Sequence, residues 1–240
     1  MVVAPFVVVA SGPMASGVRA EAAETVAWAR DLLRADFFAR EPGSVITVWV
    51  FPDESSYMSG TSALLGTIPT TPYGFYSPCQ RALVTNAGLG YGTLVHEMVH
   101  AYMSADFPGA PTWMNEGLAS LFEAPREVDG HMRGAVNWRL AELQRAIAAH
   151  RAPSFDEMAK GGRGDFSGKR GSLFYATARY LCFYLQERGL LQRFYRVFRA
   201  RVNDDPTGLV SLQDVAIRDL RTLRADWERF VGDLRHPALR

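Results

Sequence analysis

The sequence predicts an α+β fold, in which a mixed sheet lobe over about residues 1–105 precedes a helical lobe over about residues 106–240, both within a single domain spanning 1–240. Three observations lead there. Short β-branched runs flank one amphipathic segment near the start of the chain, Ser, Thr, Gly and Pro then break the pattern, and helical periodicity dominates from Gly92 to the end. With 240 residues, 48% of them hydrophobic, the chain is long enough to bury one sizeable core.

Val2 to Ala10 is apolar and β-branched, and lacks the basic residues that precede the apolar core of an export signal, so it reads as a strand. A native start at Met1 implies a cytoplasmic protein, and a trimmed export signal implies the opposite. Ala20 to Arg40 carries Val26, Ala27, Leu32, Leu33, Phe37 and Phe38 among charged residues, which predicts an amphipathic helix stopped by Pro42-Gly43. Val45 to Phe51 is a second strand, so the first elements suit a βαβ unit, with an antiparallel arrangement as the other possibility. Residues 52–72 predict a loop with a short helical piece around Ser55 to Met58. Gly74 to Tyr76 and Arg81 to Thr85 read as short strands around Pro78. Helices follow at Thr93–Met103, Thr112–Phe122, Val136–His150, Leu173–Glu187, Leu190–Val202 and Ser211–Val231. Lys160 to Gly171, with five glycines and four basic residues, predicts a flexible loop between helices.

Composition excludes several classes. A formal net charge of +1 offers no long-range attraction to nucleic acid. No apolar run approaches the ~20 residues of a membrane span. Cys79 and Cys182, the only cysteines, fit no metal or disulfide pattern and read as buried thiols. The arginines at 188, 193, 196, 199 and 201 alternate with Phe194, Val197 and Phe198 at helical spacing, so they form a solvated face rather than an anion site. No pattern specifies an oligomeric state.

The chemistry concentrates at His96-Glu97-Met98-Val99-His100, an HExxH motif. Residues four apart on a helix stack on one face, roughly 5 to 6 Å between Cβ atoms, so two imidazoles can converge on one ion. Glu97 projects about 100° from His96 and about 60° from His100, near enough to reach a water at the ion without ligating it. Leu94, Val95, Met98, Val99 and Tyr102 occupy the remaining arc of roughly 140°, which gives the helix a core face and a chemical face. Catalytic zinc takes three protein ligands and keeps one position open, which predicts a third donor nearby. Glu116 is the leading candidate, on a helix starting at Pro111-Thr112 with Thr112 as its N-cap. Gly117 weakens that helix, so its presence predicts a backbone passing close by. Rival third ligands are His131, Glu123 and Asp106.

The string Thr112-Trp113-Met114-Asn115-Glu116-Gly117-Leu118-Ala119-Ser120-Leu121-Phe122-Glu123, following HExxH within one short loop, resembles the WxNEGxAxxxE segment of gluzincin peptidases, including their compact peptidase-MA-like domains. The resemblance covers about residues 73–200. It implies a zincin-like fold, a Zn2+ ion held by His96, His100 and Glu116, Glu97 as catalytic base and a peptide or protein substrate. Three departures stand out. The interval from His100 to Glu116 is shorter than in thermolysin-like and aminopeptidase members, the GxMEN segment of the aminopeptidases is absent, and Ser120 stands where thermolysin-like enzymes carry an Asp that braces a zinc histidine. The resemblance further implies that Tyr175 donates its hydroxyl to the oxyanion of the tetrahedral intermediate. Gly74-Phe75-Tyr76 resembles the edge strand along which such enzymes lay an extended substrate. Read from the residues alone, Tyr175 is equally a core ring and Gly74 to Tyr76 an ordinary edge strand.

Amide hydrolysis by a metal-activated water, with Glu97 as general base, is the expected reaction. The competing expectation is a non-catalytic, zinc-stabilised scaffold derived from such a fold.

Overall fold

β2 (Phe6–Ala10) and β3 (Ile46–Phe51) run parallel in register, Phe6 opposite Ile46 and Ala10 opposite Val50, and α1 (Ala15–Asp36) connects them, so the βαβ alternative is the one adopted. The computed structural model describes residues 1–10 and 15–236. Its first unit comprises Met1–Asp106 with Asp129–Met132, and its second Phe107–Val128 with Arg133–Arg240.

A five-stranded mixed sheet organises the first unit. With β1 (Val2–Val3), β4 (Gly74–Ser77) and β5 (Ala82–Asn86), the strand order is β1-β2-β3-β5-β4. Alternation does the sorting. Phe6, Val8, Ile46, Val48 and Val50 are buried, and every residue of β5 is buried, as befits a strand covered on both faces. β4 lies antiparallel to β5 at the sheet edge. α3 (Gly92–Asp106) packs on β4, β5 and α1. The single strand expected over Val2 to Ala10 is corrected to two, because Pro5 has no N–H for a continuous ladder and β1 folds back antiparallel on β2.

Residues 52–72 hold more structure than a loop with one helical turn. α2 (Glu54–Leu65) opens with a capping box, in which the Asp53 side chain accepts from Ser56 N at 2.8 Å, and Gly66 closes it at φ 64°. Tyr57 and Thr61, one turn apart, bury its inner face, and Tyr57 packs with Phe51 and Val84.

The second unit contains α4 (Thr112–Leu121), α5 (Arg139–Ala148), α6 (Phe155–Lys160), α7 (Arg163–Ser167), α8 (Gly171–Glu187), α9 (Leu191–Arg201), α10 (Leu209–Ala216) and α11 (Leu220–Asp233). α8 is buried along most of its length and packs on α4, α5, α7, α9 and α11. Gly117 is where α4 meets it: a Cβ there would stand 3.0 Å from the Ala178 carbonyl oxygen. The backbone expected near this glycine is therefore α8. Trp113 lies on Phe198 of α9, rings 6.0 Å apart and nearly parallel, and donates to the Thr207 carbonyl at 2.9 Å.

Helices from Gly92 to the end are interrupted by a β-hairpin, β6 (Pro125–Val128) and β7 (His131–Gly134). Its turn is Asp129-Gly130, at φ 53° and 77°, the residue pair that tolerates two left-handed positions. The Lys160–Gly171 segment is likewise corrected. It holds α7, because Asp165 accepts from Gly162 N at 2.9 Å and Phe166 inserts against Phe174 and Tyr175. The helix expected over Ser211 to Val231 splits into α10 and α11 where Ile217 turns left-handed and Asp219 caps the next helix through Thr222 N. Cys182 is buried in α8, with its thiol pushed up to about 12 by desolvation, whereas Cys79 is exposed. Cys79 sits in the turn between β4 and β5.

Two outcomes follow from this packing. Gly117→Ala gains up to about 1 kcal/mol of helix propensity but crowds the α8 backbone at a cost of about 1–3 kcal/mol, so urea denaturation should show a net loss near 1 kcal/mol; a more stable variant would contradict the close approach. Iodoacetamide at pH 8 should alkylate Cys79 in the native protein and Cys182 only after unfolding, as read by intact-mass spectrometry.

Candidate metal centre

α3 sets the geometry. Leu94, Val95, Met98, Val99 and Tyr102 are all fully buried, and Tyr102 stacks on Phe38 with ring centroids 5.1 Å apart. That anchored face orients the other one. His96 and His100 turn together, their Nε2 atoms 3.0 Å apart and their rings 82° from coplanar. His96 and Glu97 are 9% and 7% exposed, so the polar face of this helix lies almost as deep as its apolar one. His100 is half-buried.

Two neighbours in the same unit shape the surroundings of Glu97 and the helix start. A Cβ on Gly74 would meet the Val84 carbonyl oxygen at 2.5 Å and Thr93 Cγ2 at 3.0 Å, so edge strand β4 runs too close to β5 and to the first turn of α3 for any side chain there. Phe75 packs towards the Phe51, Tyr57 and Val84 cluster, and Tyr76 is half-buried. Tyr57 is fully buried, and its phenol is pushed up to about 12, mainly by desolvation, with the Glu97 charge adding to the shift and Thr71 opposing it. Sequence reading missed Tyr57, since it fell within the segment read as mostly loop; the Asp53-to-Ser56 cap signal would have exposed the helix that carries it.

In the second unit Glu116 lies on α4, half-buried. The N-cap of α4 is Pro111, at φ −66° and ψ 160°, and no side chain caps the helix; Thr112 is its first helical residue rather than its cap. Proline suits that place because its φ is preset. The far end of α4 is held by Arg179 of α8, which is fully buried. Its Nε donates to the Ser120 carbonyl at 2.9 Å, and Nη2 donates to the carbonyls of Leu121 and Ala135. A guanidinium there satisfies the last carbonyls of the helix and complements its dipole. Ser120 is fully buried. Tyr175, half-buried on α8, has Arg139 5.1 Å from its ring centre and Phe166 edge-on at 5.3 Å.

Each rival third ligand has a structural partner. Asp106 accepts from Arg40 N at 2.9 Å. His131 Nδ1 lies 2.6 Å from Asp36, whose second oxygen accepts from Met132 N at 2.7 Å, which ties residues 131 and 132 to the end of α1. Glu123 receives Arg139 through both carboxylate oxygens, at 2.8 and 3.1 Å, and Asn137 at 3.1 Å. Arg193 and Arg196 are exposed on α9 while Leu191, Phe194, Tyr195 and Phe198 are buried, the arrangement of a solvated face. No described helix is long and apolar enough to cross a membrane.

No protein-family model matches the chain, and no curated protein matches it either.

Tyr57, Tyr91 and Tyr102 all have raised phenol pKa values, the first two at about 12, chiefly from burial. A folded pKa above the unfolded value of about 10 contributes stability that is complete below pH 10 and is lost as pH rises towards 12. Urea midpoints should therefore hold up to about pH 9.5 and fall beyond it, with Tyr57→Phe flattening part of the fall; a profile flat to pH 12 would contradict the burial argument.

Proposed function

We propose that this chain is a zinc-dependent peptidase with a zincin-like fold, hydrolysing amide bonds in a peptide or protein substrate. The observation that carries the reading is the imidazole pair of α3, whose Nε2 atoms lie 3.0 Å apart with Glu97 one position along the helix from His96, and Glu116 is the third donor that the resemblance supplies. Ligands bound about 2.0–2.1 Å from a tetrahedral zinc stand roughly 3.3 Å apart. The 3.0 Å between the two Nε2 atoms is close to that spacing, so the imidazole pair fits the ion with little movement. Two neutral nitrogens and one carboxylate also match the chemistry zinc takes in hydrolytic sites. An intact Glu97 beside the pair, a base that a closed structural site does not need, favours an enzyme over a zinc-stabilised scaffold.

When bound, zinc supplies Lewis acidity that lowers the pKa of a water and polarises the scissile carbonyl. The chain's own residues do the remainder. A carboxylate oxygen of Glu97, one position along the helix from His96 and shielded from bulk solvent, takes the proton from the attacking water and returns it to the leaving nitrogen. The open edge of β4 at Gly74, Phe75 and Tyr76 pairs with an extended substrate backbone, and Gly74 keeps that edge flush with its neighbours. The Tyr175 hydroxyl donates to the carbonyl oxygen as it gains charge.

Metal analysis and turnover test the reading together. Purified protein should carry one zinc per chain, and His96→Ala and Glu116→Gln should lose it. Glu97→Gln should keep the metal and lose fluorescent-casein hydrolysis by about 100-fold or more. A wild type that neither retains nor takes up stoichiometric zinc would sink the proposal, and full turnover in Glu97→Gln would remove Glu97 from the chemistry.

A further inference from the structure

We infer that Arg139 is a positioning residue for Tyr175, locked by Glu123 and laid against the Tyr175 ring so that the hydroxyl keeps one direction. The inference rests on the peptidase reading, in which that hydroxyl meets the reacting carbonyl.

Tyr175 is gripped by two other elements of its unit. Arg139, at the start of α5, sets its guanidinium carbon 5.1 Å from the ring centre, within the range of a cation–π contact. Phe166 of α7 meets the ring edge-on at 78°. The guanidinium is itself held. Nε reaches Glu123 Oε2 at 3.1 Å and Nη2 reaches Oε1 at 2.8 Å, and this two-point fork fixes the guanidinium plane as well as its location. Glu123 is held in turn, because Asn137 Nδ2 donates to Oε2 at 3.1 Å, and the Tyr180 hydroxyl both receives from Asn137 N and donates to Asn137 O, each at 3.2 Å.

The pair is shielded enough to matter, the Arg139 and Glu123 side chains being 21% and 11% exposed. An apolar wall would suffice to bury a tyrosine ring. A cation fixed against the ring does two further things: it resists the swing of the ring about Cα–Cβ, the motion that would carry the hydroxyl away, and it makes the phenol O–H a stronger hydrogen-bond donor by favouring negative charge on the ring system. Lys at 139 would keep the charge but lose the fork.

The test places 3-fluorotyrosine at position 175 and reads its fluorine resonance in wild type, Arg139→Lys, Arg139→Met and Glu123→Gln, with casein hydrolysis measured on the unlabelled proteins. Arg139→Met should shift and broaden the resonance, Arg139→Lys should recover part of the shift, and Glu123→Gln should move it towards the Met variant. Arg139→Met should lower kcat by about ten- to hundredfold with KM within about twofold, and Arg139→Met with Tyr175→Phe should lose no more than the worse single change. A resonance unmoved in Arg139→Met, or losses that multiply in the double variant, would overturn the inference. Full turnover in Glu97→Gln would instead strike at the peptidase reading, while the fluorine signal still reports whether Arg139 controls the ring.

Discussion

The rotation of one helix about its own axis is the constraint on which the rest depends. Leu94, Val95, Met98 and Val99 are fully buried, and each contributes about 1.5–3 kcal/mol by leaving water. Turning α3 by a single residue's angle would expose part of that set, at a cost far above the value of any one polar contact the helix makes. The imidazoles of His96 and His100 therefore face where the apolar arc does not, with their Nε2 atoms held 3.0 Å apart by packing on the opposite side. Precision in the polar pair is a by-product of burial in the apolar one.

The second unit reaches the same end by polar means. Arg179 is fully buried and ties the last carbonyls of α4 to α8 and to Ala135. Burial pulls its guanidinium below the usual arginine range, and the nearby Glu123 charge works against that pull. Gly117 lets the two helices approach until only a hydrogen atom fits between α4 and the Ala178 carbonyl. α4 and α8 carry Glu116 and Tyr175, and both are thus on elements clamped at contact distance rather than on loops, which suits the roles proposed for them.

Local signals were legible and distant ones were not. The strand–helix–strand order at the start, the short strands around Pro78 and the apolar arc of α3 follow from periodicities of two and about 3.6 that any window of the chain displays, while the parallel pairing of the first two long strands does not. The left-handed break at Ile217 escaped notice because the apolar pattern runs on through it, and a non-glycine residue gives no warning of a positive φ. The hairpin after α4 had its marker in Asp129-Gly130, but its strands are too short and too polar to register as alternation. α7 hid among glycines because what holds it is Phe166 seated on α8, a contact with residues further along the chain.

By itself the sequence determined that two histidines and a glutamate would share a helix and that its apolar residues would point elsewhere, since both depend only on spacing within a few turns. Tertiary structure alone decided which of the other acidic and basic groups were already engaged. Asp106 serves the Arg40 backbone, His131 meets Asp36, and Glu123 holds Arg139. Those pairings join residues up to 95 positions apart, and a carboxylate's partner is chosen by whichever distant element the packed core brings within hydrogen-bond reach.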